Sequence, residues 1–141
     1  MFVVFIIVTL VVTLAVLIHY EFLSRMSVHL LRPSLKPRFK IITGVLLALV
    51  AHAIEIWLFA LAYYVMHTAG LWGQLLGHTD GSLLDCVYFS FTTYSTLGFG
   101  DIYPSGGLRY LTGIESLTGL VLITWTASFL YLAMEKEWGK D

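Results

Sequence analysis

Apolar positions along the chain form three long runs and one short one, separated by stretches of different character. Phe2 to Tyr20 is apolar except for Thr9, Thr13 and His19, long enough to cross a hydrocarbon core of about 30 Å. No Lys or Arg precedes Arg25, and no small-residue cleavage pattern follows the run. Residues 1–20 therefore predict an uncleaved transmembrane helix rather than a signal peptide. Residues 21–40 are polar and basic, and Pro33 and Pro37 argue against one continuous helix there. Ile41 to Val65 is a second span ending in Tyr63 and Tyr64, which suit an interfacial aromatic belt. Met66 to Gly81 reads as a loop without Lys or Arg. Ser82-x-x-Asp85 then reads as a capping box opening a short helix over residues 83–95. That helix is too short to span, so the chain must turn back after it. Residues 109–134 form the third span, and 135–141 a short charged tail.

Composition agrees with this pattern. Hydrophobic residues make up 58% of the 141 positions and charged residues 12%, against about 25% charged in soluble globular chains. The prediction is an all-α membrane protein with three transmembrane helices and one re-entrant segment. Arg25, Arg32, Lys36, Arg38 and Lys40 lie between the first two spans and make up most of the eight basic residues. The positive-inside rule puts this segment in the cytoplasm, the N-terminus outside and the C-terminus inside. The same residues are candidates for contact with anionic lipid headgroups, beside the plainer reading that they only orient the chain. The one cysteine, Cys86, permits no intrachain disulfide. No basic patch suggests nucleic-acid binding. Multi-pass placement in the plasma (cytoplasmic) membrane is expected.

The returning limb carries the most specific signal, Thr96-Leu97-Gly98-Phe99-Gly100-Asp101. Alternating glycines permit backbone angles that L-residues avoid, so an extended limb can aim successive carbonyls to one side. Such a row, closed by the Thr96 hydroxyl, can replace the hydration shell of a monovalent cation. The stretch resembles the pore loop and selectivity filter of potassium channels, in a form similar to the second pore loop of tandem-pore channels. The resemblance covers residues 41–134, as outer helix 41–65, turret 66–81, pore helix 83–95, filter 96–101 and inner helix 109–134. A filter needs carbonyls from all sides of an axis, and no internal repeat is visible. One pore loop per chain therefore implies a homotetramer.

The resemblance implies potassium ions bound by the carbonyls of Thr96, Leu97, Gly98 and Phe99 and by the Thr96 hydroxyl, with no organic cofactor. It implies that Gly100 permits the turn at the mouth. It implies that Asp101 packs behind the filter or joins an external carboxylate ring. Gly119, ten residues after Arg109, resembles the hinge glycine of the inner helix; a small residue for close packing is the competing reading. With Gly119 as hinge, Leu120, Ile123 and Ala127 turn towards the axis and line an apolar cavity. Phe99 lacks the hydroxyl of the usual tyrosine, and Thr92 stands where some relatives carry a buried Glu. Both departures predict weaker polar bracing of the filter.

His52 and Glu55 are three apart and share a helical face; Glu115 is expected at similar depth. Ionisable groups at such depth face protein or water. They form either a polar brace behind the filter or a structural pair that fixes helix packing. His52-x-x-Glu55 is not the H-E-x-x-H arrangement of zinc hydrolases, and no third ligand has matching sequence spacing. No Ser-His or Cys-His nucleophile pair stands out, so an enzyme is not expected. The expected function is passive, selective potassium conduction. A weakly selective cation channel and a non-conducting membrane subunit are the alternatives. The first span has no Lys or Arg, so it is not a voltage sensor. The seven or so residues after the third span are too few for a cytoplasmic gating domain.

Overall fold

The computed structural model describes residues 1–30 and 36–138. Four helices and a two-stranded hairpin follow in the order α1 (Phe2–Leu30), α2 (Pro37–Ala69), β1 (Leu75–Gly77), α3 (Leu83–Tyr94), β2 (Ile102–Pro104) and α4 (Leu108–Trp138). By length and composition α1, α2 and α4 are each long and apolar enough to cross a membrane. The chain is a multi-pass, mostly helical membrane protein with the short α3 lodged among its spans.

Helix α1 continues ten residues beyond the expected span 1–20, because nothing in residues 21–30 breaks it. Val4, Val8, Val11, Ala15, His19, Leu23 and Met26 are all buried. They recur at three- and four-residue intervals, which puts them on one helical face. Leu23 and Met26 pack with Leu47, Phe129, Leu130 and Ala133, and an exposed Glu21–Arg25 pair one turn apart closes at 2.8 Å. The basic segment expected over 21–40 is thus largely helical. Arg25 lies on α1, Arg38 and Lys40 lie in the first turns of α2, and Arg32 falls outside the described residues. Pro37 opens α2, where its missing N–H costs no helical hydrogen bond.

Helix α2 runs past Val65 to Ala69, and Gly70 caps it with φ 67° and its N–H on the carbonyls of Met66 and His67. The expected turret loop then folds back as β1 and pairs antiparallel with β2, Leu75 opposite Pro104 and Gly77 opposite Ile102. This hairpin is a correction to the loop reading. Its two strands have three residues each, too few for an alternating pattern to show in sequence. The His67 ring Nδ1 accepts the Leu75 N–H at 3.0 Å, and Ser105 Oγ takes the Gln74 N–H at 2.8 Å. The segment between α2 and α3 is therefore tied to the segment that follows the filter.

The core lies around α3. Tyr63, Phe59 and Met66 from α2, Cys86, Phe89 and Tyr94 from α3, and Leu108, Leu111 and Leu122 from α4 are buried together. Tyr63 meets Phe89 edge-on, with ring centres 5.0 Å apart.

The candidate ion pathway and the polar network behind it

Helix α3 starts at Ser82, whose hydroxyl accepts the Asp85 N–H at 3.2 Å. The reciprocal half of the expected capping box is replaced. Asp80 Oδ1 takes the Ser82 N–H, and Asp85 Oδ2 takes the Asp80 N–H and the Thr79 hydroxyl at 2.9 and 2.8 Å. The Thr79 hydroxyl, and after it the Asp80 amide, hold the Asp85 carboxyl below its ordinary value.

At the other end of α3 the chain reverses into residues 95–100. The Thr96 N–H returns to the Thr93 carbonyl at 2.9 Å and the Gly98 N–H to the Thr92 carbonyl at 3.0 Å. Thr96, Gly98 and Gly100 have φ of 60°, 53° and 81°, whereas Leu97 and Phe99 are not on the positive side. Alternating hands turn successive peptide planes the same way, which is what a row of same-side carbonyls requires. A Cβ on Gly98 or Gly100 would meet nothing within 4 Å. Glycine is needed at these two positions for its backbone freedom, not for space. Within one chain the limb lies uncovered: Leu97 is 61% and Phe99 65% exposed.

Asp101 ends the limb. Its carboxylate accepts the Tyr88 hydroxyl at 2.8 Å, and its carbonyl accepts the His78 N–H at 2.8 Å. That bond to Asp101 raises the Tyr88 phenol above its ordinary value. The Tyr88 ring lies parallel to Phe99, 4° from coplanar at 6.5 Å. Phe99 therefore has an aromatic neighbour in place of the absent hydroxyl bond. Thr92 turns its hydroxyl back to the Phe89 carbonyl at 2.9 Å and adds no bracing across helices.

Bracing comes from Ser90 and Tyr94, one turn apart on α3. The Ser90 hydroxyl meets Glu115 and lies 2.9 Å from the Ile56 carbonyl. Glu115 also accepts the Tyr63 hydroxyl at 2.6 Å, and Tyr63 lies 3.1 Å from the Thr112 hydroxyl. The Tyr94 hydroxyl donates to Glu55. Glu55 also faces His52 Nδ1 at 3.1 Å and His19 Nδ1 at 2.9 Å. Both imidazoles present Nε2 to the Thr126 hydroxyl, at 3.3 Å from His19 and 3.1 Å from His52. Glu55 and Glu115 are both fully buried.

Sequence reasoning placed His52, Glu55 and Glu115 at similar depth as one candidate brace. The structure joins His52 to Glu55 and puts Glu115 in a second network, because different α3 side chains reach the two carboxylates, Tyr94 the first and Ser90 the second. His19, Tyr94, Tyr63, Ser90 and Thr126 were missed. The signal for His19 was present: an ionisable residue inside an otherwise apolar span marks a partner in the protein interior. Thr124 and Ser128 bond the carbonyls four residues back, Leu120 and Thr124, at 2.9 Å each. Thr126 departs from that local pattern.

Gly119 is buried against the end of α3, where an added Cβ would lie 2.2 Å from the Tyr94 carbonyl oxygen. Close approach of α4 to the base of the filter limb thus requires glycine there. Leu120, Ile123 and Ala127 are exposed on the isolated chain, while Leu122 and Thr126 point into it.

Comparison with known proteins agrees with this architecture. A family model described as ion channel matches residues 41–136, which are α2 through most of α4. Potassium channel protein kcv of Paramecium bursaria Chlorella virus 1 is 42% identical over 45 residues, covering 32% of this chain and 48% of that protein. The chain thus spans about half the length of this curated relative. No solved structure matches. Since the family match covers more than half of its residues, the chain belongs to the ion channel family.

Proposed function

We propose that four copies of this chain surround a common axis and conduct potassium selectively and passively across the plasma membrane. The observation that carries the reading is the limb from Thr96 to Gly100, with backbone hands that alternate and no cover from its own chain. Such a limb is stable at membrane depth only against other protein or water, and neighbouring copies supply both around an axis. The carbonyls of Thr96, Leu97, Gly98 and Phe99 and the Thr96 hydroxyl then replace potassium's water shell. Gly100 turns the chain out of the filter, and Asp101, held by Tyr88, contributes negative charge at the mouth. The C-terminal end of α3 adds the negative pole of a helix dipole at the base of the limb. Leu120, Ile123 and Ala127 line the cavity below, and Gly119 seats α4 against Tyr94. The same glycine is the hinge of α4 in this reading.

In this reading the filter mouth and the N-terminus face outward. The end bearing Arg25, Lys36, Arg38 and Lys40 faces the cytoplasm, where the exposed Arg25, Lys36 and Arg38 are within reach of anionic headgroups and the buried Lys40 is not. Potassium in the filter is the transported ion, and no organic cofactor takes part.

Reconstitution into a bilayer with opposing potassium and sodium gradients tests the reading. The current is expected to reverse near the potassium value. An intermediate reversal potential would identify a weakly selective cation channel. Reversal near the sodium value, or no current at all, would overturn the proposal.

A further inference from the structure

We propose that His19, His52 and Glu55 form a binding site for a divalent transition-metal ion of the zinc type, joining α1 to the pore unit. Each residue offers a ligand atom, and the three atoms lie within 4.8 Å of one another. His19 and Glu55 are buried, and His52 is 14% exposed at its side chain, which leaves one side open to an entering ion.

Hydrogen-bond accounting favours a cation among these groups. Both Nδ1 atoms face the Glu55 carboxylate, and both Nε2 atoms face a single hydroxyl, that of Thr126. A neutral imidazole carries one N–H, and a threonine hydroxyl has one proton and two acceptor lone pairs. If both neutral rings give their proton to Glu55, the Thr126 proton serves only one Nε2, and the other faces an oxygen with no proton between them. In that arrangement one contact lacks a proton, and a cation bound between the Nδ1 atoms and the carboxylate, whether a proton or a metal ion, relieves it.

A metal ion satisfies both Nδ1 atoms and the carboxylate at once. Bound to both Nδ1 atoms and the carboxylate, it leaves an N–H at each Nε2. Both then donate to the two lone pairs of Thr126, an outer partner that sets ring orientation as around protein-bound metals generally. Tetrahedral zinc with bonds of about 2.0–2.1 Å places its ligand atoms about 3.3 Å apart. The histidine-to-carboxylate separations of 2.9 and 3.1 Å, one to each Glu55 oxygen, are already close to that, and with all three ligand atoms within 4.8 Å of one another side-chain rotation brings them onto a common ion. The Tyr94 hydroxyl, 3.0 Å from His52 Nδ1, stands beside the open position. Two imidazoles and one carboxylate suit zinc, cobalt, nickel or copper. Calcium and magnesium favour oxygen ligands alone.

Cobalt(II) is the probe, because its visible bands report coordination directly. The full chain, purified in detergent and freed of metal by chelator, is expected to take up a single Co²⁺ per chain with a low-coordinate spectrum, and Zn²⁺ is expected to displace it. His19→Gln, His52→Gln and Glu55→Gln should each weaken binding by more than about 100-fold, and Thr126→Val by about 10-fold. His67→Gln with His78→Gln should leave binding unchanged. Wild-type protein that takes up no cobalt overturns the proposal. So does binding that survives His19→Gln, or binding lost only in the His67 and His78 variant. Circular dichroism and elution position check folding. Should the ligand variants not fold, Thr126→Val decides: unchanged affinity and spectrum overturn the site, weakened binding supports it.

Discussion

Glu55 and Glu115 are both fully buried, one on α2 and the other on α4, and each is reached by a hydroxyl from α3. Hydroxyls alone hold Glu115, those of Tyr63 and Ser90, and its network stays within α2, α3 and α4. Glu55 is held by one hydroxyl and two imidazoles, and one imidazole comes from α1, outside the residues that match the channel family. The first carboxylate to be expected as a filter brace therefore also fastens an extra helix. That helix meets the pore unit through a stripe rich in valine and alanine, and such surfaces tolerate sliding by a turn. A buried polar contact fixes register where apolar packing alone does not. In this chain His19 on Glu55 is that contact.

The largest expected effect comes from emptying the all-hydroxyl network. Glu115→Ala removes the carboxylate shared by the Tyr63 and Ser90 hydroxyls, leaving Tyr63 the Thr112 hydroxyl and Ser90 the Ile56 carbonyl, so a loss of about 2–4 kcal/mol is expected from two hydrogen bonds to a buried charged group. Thermal unfolding in detergent, followed by circular dichroism, measures it; a loss below about 1 kcal/mol would break the picture of Glu115 as a central tie. Gly119→Ala should come next, at about 1–3 kcal/mol, since the new methyl meets the Tyr94 backbone and α4 must shift. The shifted helix carries both Glu115 and Thr126, so this variant should disturb both networks.

A double-mutant cycle sharpens the comparison itself. His19→Ala and Glu55→Ala should couple by about 1–2 kcal/mol, whereas His19→Ala and Glu115→Ala should add to within about 0.5 kcal/mol. Equal coupling in both cycles would mean that the two carboxylates act as one unit. The smallest effect concerns Asp101, a carboxylate at the surface rather than in the core. Tyr88 has its phenol raised by the bond to Asp101. A raised folded value means that the bond's contribution is complete below the ordinary tyrosine range, and is lost as pH rises through the folded value. The tyrosinate absorbance of Tyr88→Phe should therefore lack one of the late-titrating rings of the wild type, and this variant should hold current less well at low external potassium.

The residues that could be read correctly in advance are those whose behaviour is set within a few positions of themselves. Gly98 and Gly100 signalled a limb of unusual backbone, and both have positive φ. Ser82 signalled the start of α3, and its hydroxyl caps it. Even here the neighbours rearranged the detail: Asp80, not Asp85, takes the Ser82 N–H. The β1–β2 pairing joins residues far apart in the chain through strands too short to show a pattern. Helix α1 passed its expected end because its buried stripe goes on through Leu23 and Met26.

By itself the sequence determined the three apolar spans, the short capped helix and the glycine-bearing limb after it. Span length, cap chemistry and glycine φ are local properties of the chain. Tertiary structure alone decided which polar groups meet. A helix turns about 100° per residue, so the partner of a side chain depends on the rotation and depth of every helix around it. His19 reaches Glu55, and Glu115 instead reaches Ser90, only once α1, α3 and α4 are set against α2.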